Sequence, residues 1–530
     1  MLILLLFYII QIFALQVDPL PKPQFIKWYG QPLIVDLKNL YLVGGYDILD
    51  KALSRVKQRN LLSRIEKDTF FQFLPLKIEV LVEENETQLQ IDVDESYELN
   101  ISSDRGVVIK SETIWGALRA ISTFQQLLVT TNGMVIIEQS VLIKDSPKFP
   151  HRGLMIDSAR NFLTMDSILE QIDIMELVKM NVLHWHLVDT QSWPLILKSH
   201  PEMSNDAFSN DEKYTMDDLK FIQNYANERG VIIIPEIDMP GHARAGWRQI
   251  DNDLVVCGDC FWKGFAVEPP PGQLNLLNNK IYDVIDDVFK ELRSLFTTIH
   301  VGNDELQESC FPQEWFNNKS LNDLVQHYID KTSSIFSTAN IIMWDDIVQN
   351  HNAKIPQNVI LQVWHEQGVI KELTNKGHKV IVSSADHLYL DCGHGGFLTN
   401  DKRYIDKPEN DKFNSGQAGS WCGPYKTYQR IYSFDFLKNL TEEEKELVIG
   451  AEAALWSEQV DSNVLTSMIW PRAAALSELL WSGHSLDGLR EFTPRIFRFR
   501  ELLAKLNYKV PPLASKYCLL SPNACNYDNY

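Results

Sequence analysis

The hydrophobic rhythm of the chain changes near residue 150. Before that point Leu76, Ile78, Val80 and Val82 alternate with Lys77, Glu79 and Glu83, and Leu89, Ile91 and Val93 alternate with Gln90, Asp92 and Asp94. A period of two predicts half-buried antiparallel strands. Ile114, Leu118, Ile121 and Leu128 then fall on one face at helical spacing, which predicts a helix covering one side of that sheet. Together these elements predict a small α+β domain over 17–148, with Asp145-Ser-Pro147 as closing punctuation.

Beyond Pro150 short apolar runs alternate with longer amphipathic helices. The runs are Gly153 to Asp157, Val182 to Leu187, Val231 to Ile237, Ile299 to Asn303, Ile341 to Trp344, Val359 to Trp364, Lys379 to Ser384 and Ile449 to Trp456. Helices lie between them, one with Ile168, Ile172, Met175 and Val178 on a face and another with Ile285, Phe289, Leu292 and Phe296. This alternation predicts an α/β fold, a (β/α)8 TIM barrel over 149–505, with the stretch Asp391 to Leu447 inserted as loops on the active face. Residues 506–530 are left as a C-terminal tail.

Composition narrows the setting. The 530 residues are 45% hydrophobic and 23% charged, an ordinary globular balance, and the net charge of −20 argues against a nucleic-acid partner. Met1 to Leu15 is almost wholly apolar, yet shorter than the ~20 residues a spanning helix needs. It predicts a secretory signal over 1–16, with the polar turn Gln16-Val17-Asp18-Pro19 at the cleavage region. With no later run long enough to span, the expected destination is the lysosome or the exterior, without a membrane span. Asn85, Asn100, Asn318 and Asn439 each open a glycan acceptor tripeptide suited to that route. The seven cysteines are then expected to be structural, and Cys518 and Cys525 are close enough to clip the tail.

Barrel enzymes carry their chemistry where strands end. Here those positions hold His186, Asp189, Glu236, His242, Asp304, Glu305, Trp344, Trp364, Tyr389, Trp456 and Glu458. Asp304 and Glu305 are adjacent, so they enter a pocket from one wall and cannot flank a sugar ring as the acid and nucleophile of an ordinary retaining glycosidase do. A substrate bringing its own nucleophile, a 2-acetamido oxygen, resolves the difficulty. One carboxylate would orient the acetamido N–H, and the other would protonate the leaving oxygen and later activate water. Trp344, Trp364 and Trp456 suit the walls of such a slot. Arg152, just before the first strand, has a donor fork that fits paired sugar hydroxyls or, equally, a salt bridge anchoring the strand start.

The segments His151-Arg-Gly-Leu-Met-Ile-Asp157, Asn181-Val-Leu-His-Trp-His-Leu-Val-Asp189, Pro235-Glu-Ile-Asp-Met-Pro-Gly-His242, His300-Val-Gly-Asn-Asp-Glu305 and Ala454-Leu-Trp-Ser-Glu458 resemble, in this order and spacing, the β-N-acetylhexosaminidases of glycoside hydrolase family 20. The resemblance implies exo-acting removal of terminal β-linked GlcNAc or GalNAc through an oxazolinium intermediate, with no cofactor and no metal. It implies Glu305 as general acid/base, Asp304 as the group positioning the acetamide, and Tyr389 as donor to the acetamide oxygen. Asp189 and His242 would support the acid, Arg152, Asp391 and Glu458 would bind hydroxyls, and Trp344, Trp364 and Trp456 would form the pocket. Ser420-Trp-Cys-Gly-Pro-Tyr425 is similar to a loop of chitooligosaccharide-degrading members, which places Trp421 at the first leaving-group subsite. The same similarity implies bridges Cys392–Cys422 and Cys518–Cys525, and a pairing of Cys310 with Cys257 or Cys260. Asn303, where relatives commonly have glycine, would add a side chain beside the carboxylates, and Thr190 replaces a second acid after Asp189.

Three other readings compete. His184, His186, His242, His300, His365 and His387 could serve a metal-dependent barrel hydrolase, or pack as barrel-interior residues. A secreted sugar-binding protein on a decayed hydrolase barrel is a second. A two-carboxylate retaining glycosidase using Glu452 or Glu458 is a third. The expected partner is an oligosaccharide or glycoconjugate substrate, and the oligomeric state, a homodimer included, is left open.

Overall fold

The computed structural model describes residues 18–62, 76–84, 88–131, 134–316, 319–410, 421–525 and 527. The expected signal over 1–16, and the acceptor residues Asn85 and Asn318, lie outside the described residues.

The N-terminal part is a six-stranded mixed sheet in the order Phe25–Tyr29, Ser140–Asp145, Tyr97–Ser102, Gly106–Thr113, Lys77–Glu84, Tyr41–Val43. The expected strand at Lys77–Glu84 is present, but it pairs in parallel with both neighbours, Ile78 opposite Val107 on one side and Leu42 on the other. Its alternation still sends Ile78 and Val80 into the core. The helix Ile114–Leu127 starts at Thr113, whose hydroxyl accepts the N–H groups of Trp115 and Gly116. It is buried nearly all round because it lies between this sheet and the barrel.

The alternation over Leu89–Val93 is not a strand. Ile91 packs against Val182, Ile234, Ile342 and Ile381 at the floor of the barrel, while Leu89 and Val93 pack against the N-terminal core. A segment sandwiched between two apolar surfaces buries alternate residues without ladder pairing.

Eight parallel strands close the barrel: His151–Asp157, Val182–Val188, Ile232–Met239, Thr298–Gly302, Asn340–Trp344, Ile360–Val363, Val380–Val382 and Val448–Leu455. Inward side chains recur every second residue, so the interior is layered. Val182, Ile234, Ile342 and Ile381 make an apolar floor. Two residues further along, His184, Glu236, Trp344 and Ser383 start a polar layer that Glu452 and Gln362 complete: His184 Nδ1 meets Glu452 at 3.0 Å, its Nε2 meets Glu236 at 3.0 Å, and Gln362 donates to Glu452 at 2.8 Å. Burial opposes charge on His184, but Glu452 and Glu236 prevail and raise its pKa to about 9. The next layer is the C-terminal rim of the barrel.

The two parts are joined by buried ion pairs. Lys179 donates to Asp145 at 2.7 Å, Trp481 Nε1 donates to the same carboxylate at 2.9 Å, and Arg55 and Arg59 both meet Glu176.

Candidate active site

The carboxylates Asp304 and Glu305 leave the fourth barrel strand through a tight turn with positive φ at Gly302 (66°), Asn303 (77°) and Glu305 (52°). Left-handed backbone at non-glycine residues is costly and concentrates at functional sites. The turn packs on Gly241, where a Cβ would stand 2.4 Å from the Asp304 carbonyl oxygen. His242, also at positive φ, follows at once. Its Nε2 lies 3.2 Å from Glu305 Oε2 and 3.8 Å from Asp304 Oδ2, and its Nδ1 lies 3.0 Å from Asp189 Oδ1. Both acids therefore share one wall and one imidazole. Burial opposes charge on His242, yet Asp189, Glu305 and Asp304 hold its pKa well above the ordinary value. Burial raises the Asp304 pKa to about 6, with His242 opposing and Glu305 reinforcing.

Asp189 is the hub of the support. It meets His186 Nε2 at 3.0 Å and Arg160 Nη2 at 2.9 Å, and Thr190 Oγ1 donates to it at 3.0 Å. Burial would neutralise this carboxylate, but Arg160 and His242 keep it well below the usual range.

Across the pocket, Tyr389 ends the short helix after the seventh strand and bridges to Ala454 on the eighth. The Tyr389 and Trp456 rings are 6.1 Å apart, Trp456 and Trp344 6.0 Å, and Trp364 and the exposed Trp421 5.9 Å. Trp344 is anchored by Nε1 donation to Glu236 at 2.8 Å, and Trp364 by donation to Asp346 at 2.6 Å. Asp391 accepts from the Trp456 N–H at 3.5 Å, and burial raises its pKa to about 6. Glu458 is raised further by burial, against the pull of Arg160 and with Glu268 and Asp391 reinforcing.

Arg152 is not in this pocket. It sits at the opposite, N-terminal end of the first strand, fully buried, bonded to Glu95 and to the carbonyls of Phe149 and Lys179 at 2.9 Å each. The strand-anchor reading is the one realised. The guanidinium at the rim belongs to Arg160, which contacts Asp157 at 3.2 Å and Glu268 at 3.0 Å and lies 4.9 Å above the Trp456 ring. Its position three residues after the end of that strand was the available signal; Glu268, in a long loop, carried none.

Disulfides join Cys392 to Cys422 and Cys518 to Cys525. Cys310 is unbridged, as are Cys257 and Cys260: its Sγ donates to the Phe265 carbonyl at 3.0 Å, with Cys257 in contact with both other thiols. Asn303 turns its amide back onto the Val301 carbonyl at 3.3 Å and is fully buried, so it does not project into the pocket. Of the histidines of the metal reading, His184, His186 and His300 meet at the Glu236 carboxylate, at 3.0, 2.6 and 2.9 Å, whereas His242 meets Asp189 and Glu305 instead. His184 is committed to carboxylates inside the barrel, His365 meets Asp345 at 2.7 Å, and His387 stacks on Phe434. Glu452 is sealed below the rim against His151, His184 and Gln362, which removes it as a nucleophile.

A (β/α)8 barrel with acids, arginine and tryptophans at its C-terminal rim is the architecture of a glycoside hydrolase. Residues 149–484 match the glycosyl hydrolase family 20 catalytic domain, and residues 19–127 match a domain described as beta-acetyl hexosaminidase like. The chain is 42% identical to Beta-hexosaminidase 1 of Coccidioides posadasii (strain RMSCC 757 / Silveira), over 97% of this chain and 95% of the relative. It is likewise 42% identical to Beta-hexosaminidase of Emericella nidulans, over 97% and 96%. The fold matches that of Flavobacterium johnsoniae chitobiase with a TM-score of 0.75 at 23% identity, covering 96% of this chain and 74% of that one. The chain belongs to glycosyl hydrolase family 20. It is an enzyme of the β-N-acetylhexosaminidase type, and that family works by substrate-assisted catalysis.

Proposed function

We propose that the residues of this rim divide the work as follows. The acetamido oxygen of a terminal β-linked N-acetylhexosamine attacks the anomeric carbon as the glycosidic C–O bond breaks, and the Glu305 carboxyl gives its proton to the leaving oxygen. Asp304 accepts the acetamido N–H and stabilises the positive charge of the oxazolinium, while the Tyr389 hydroxyl donates to the attacking oxygen. Water then adds to the anomeric carbon, its proton passes to Glu305, and the ring reopens with configuration retained. The cationic His242, oriented by Asp189, steadies the ionised form of Glu305 between the two steps.

The observation that carries this reading is that one ring nitrogen of His242 reaches both Asp304 and Glu305, within 3.8 Å and 3.2 Å. Two acids on one side leave the opposite face of the anomeric carbon to the substrate's own nucleophile. Arg160 and Glu458, with Asp391, are assigned the ring hydroxyls, and Trp421 the sugar on the leaving side. The chain is assigned to the secretory route, lysosomal or released, on its apolar N-terminal segment and acceptor tripeptides; among the described residues no helix is long and apolar enough to cross a membrane. Matched aryl β-glycosides of GlcNAc, GalNAc and glucose test the chemistry. Turnover of the two acetamido sugars with none of the glucoside is expected, and equal cleavage of all three overturns it.

A further inference from the structure

One inward-facing carboxyl at the rim has no part in the mechanism above. Asp238 lies two residues beyond Glu236 on the third strand, hence one layer higher in the barrel interior. Glu236 is fully engaged by His184, His186, His300 and Trp344. Asp238 is only 1% exposed, and its Oδ1 has no hydrogen-bond partner. That oxygen sits over the turn leading into Asp304, since a Cβ built on Gly302 would stand 1.7 Å from it. Glycine at 302 is what lets the carboxyl approach the turn. The Oδ1 of Asp304 is likewise buried and without a partner.

Two buried carboxyls whose charges repel, each with an oxygen that lacks a donor, are unstable as two anions. They become compatible when one proton is shared between the residues. Around Asp238 stand Asp304 from the fourth strand, Glu236 from its own, His186 and Asp189 from the second, His242 from the following loop, and the Tyr328 hydroxyl from helix Leu321–Phe336. Burial, with Asp304 and Glu236 reinforcing and His242 and His186 opposing, pushes the Asp238 carboxyl well above the ordinary range. Asp304 presents its Oδ2 to the His242 ring at 3.8 Å, a contact that favours the anion on Asp304 and leaves the proton to Asp238.

We infer that Asp238 is a positioning residue, a neutral carboxylic acid that donates a hydrogen bond to Asp304 and so holds Asp304 as the anion turned toward the substrate acetamide. This rests on the reading of Asp304 as the group that orients the acetamide. A neutral donor beside an acid that must stay ionised is a means by which a buried pair separates its two titrations. The stored proton is not transferred in turnover.

Asp238→Asn, Asp238→Leu and Asp304→Asn, measured on an aryl N-acetylglucosaminide across pH, test it. Asp238→Asn keeps a neutral donor, so turnover is expected within about tenfold of the parent, with the acidic limb of kcat/KM moving by less than about half a unit. Were Asp238 an anion, removing its charge would lower that limb by about a unit or more, and this result overturns the inference. Asp238→Leu removes the donor and is expected to lower kcat by about 100-fold, with KM changed little and the acidic limb moved upward. Unaltered kcat and acidic limb in folded Asp238→Leu also overturn it. The Asp238→Asn profile decides the matter alone should the leucine variant not fold. Asp304→Asn separates the two claims. If it is inactive while the Asp238 variants behave as the parent, only the dyad fails; if it is active, both fail.

Discussion

Arg152 and Glu95 form an ion pair in full burial across the seam between the N-terminal domain and the barrel. Glu95 holds a second guanidinium, that of Arg119, at 2.6 Å, and Arg119 in turn donates to the carbonyls of Arg229 and Gly230. Burial weakens the charge of Arg152, bringing its pKa to about 10 against the pull of Glu95, so it remains a cation at neutral pH. Removing one member leaves a buried carboxylate short of a partner, which typically costs about 3–5 kcal/mol. Arg152→Met is expected to lower the unfolding midpoint strongly while the folded fraction keeps the parent KM. A large rise in KM without loss of stability would contradict this placement.

Arg160→Ala is expected to do the reverse. Its guanidinium touches Asp157, Asp189 and Glu268 at the pocket rim. Loss of a charged donor to a sugar hydroxyl is worth about 1.5–3 kcal/mol, so kcat/KM should fall by about 10- to 100-fold. Since Arg160 also fixes Asp189, kcat should decline together with the affinity for the released sugar. Binding of N-acetylglucosamine by calorimetry, beside steady-state kinetics, checks both.

Glu305→Gln isolates the proton. The side chain is 26% exposed and held by His242, so the amide should be accommodated without unfolding. Loss of general acid catalysis is expected to lower kcat by about 100- to 10,000-fold for substrates with poor leaving groups. A glycoside whose leaving phenol is strongly acidic needs no proton and should recover much of its first step. Equal losses for both leaving groups would assign the acid elsewhere.

The barrel was legible because each strand is a short apolar run ended by polar or aromatic residues, a signal that tertiary contacts reinforce. What escaped was decided by partners distant in sequence. Residue type alone does not distinguish Arg152 from Arg160; what commits Arg152 is Glu95, which lies 57 residues away in the chain and pairs with it. Strand polarity offered the better clue, because Arg160 follows the strand and Arg152 begins it. Leu89 to Val93 read as a strand because its apolar residues alternate, but they face two cores in turn across a turn in which the Val93 N–H donates to the Gln90 carbonyl at 3.3 Å. The parallel pairing of Lys77–Glu84 depends on which neighbours it meets, and period-two patterning is silent on direction. Asp304 and Glu305 were readable as a pair from adjacency alone, but the common imidazole that gives the pair its meaning comes from a different strand's loop.

The burial of Asp304 should cost stability, with a definite sign. Its carboxyl is raised from the ordinary 3.8 to about 6, so between these values the folded protein binds a proton that the unfolded chain has released. Folding stability then falls as pH rises through this interval, and the penalty is complete above pH about 6. A shift of this size corresponds to about 1–3 kcal/mol. Asp304→Asn cannot titrate and should escape the penalty. Its unfolding midpoint is expected to exceed that of the parent at pH 7, with the advantage shrinking toward pH 4, where the parent carboxyl is neutral as well. Calorimetric scans of both proteins across this range provide the check. A stability difference that does not vary with pH would mean that Asp304 does not take up its proton there, and that its charge is balanced by groups other than those facing it in this pocket.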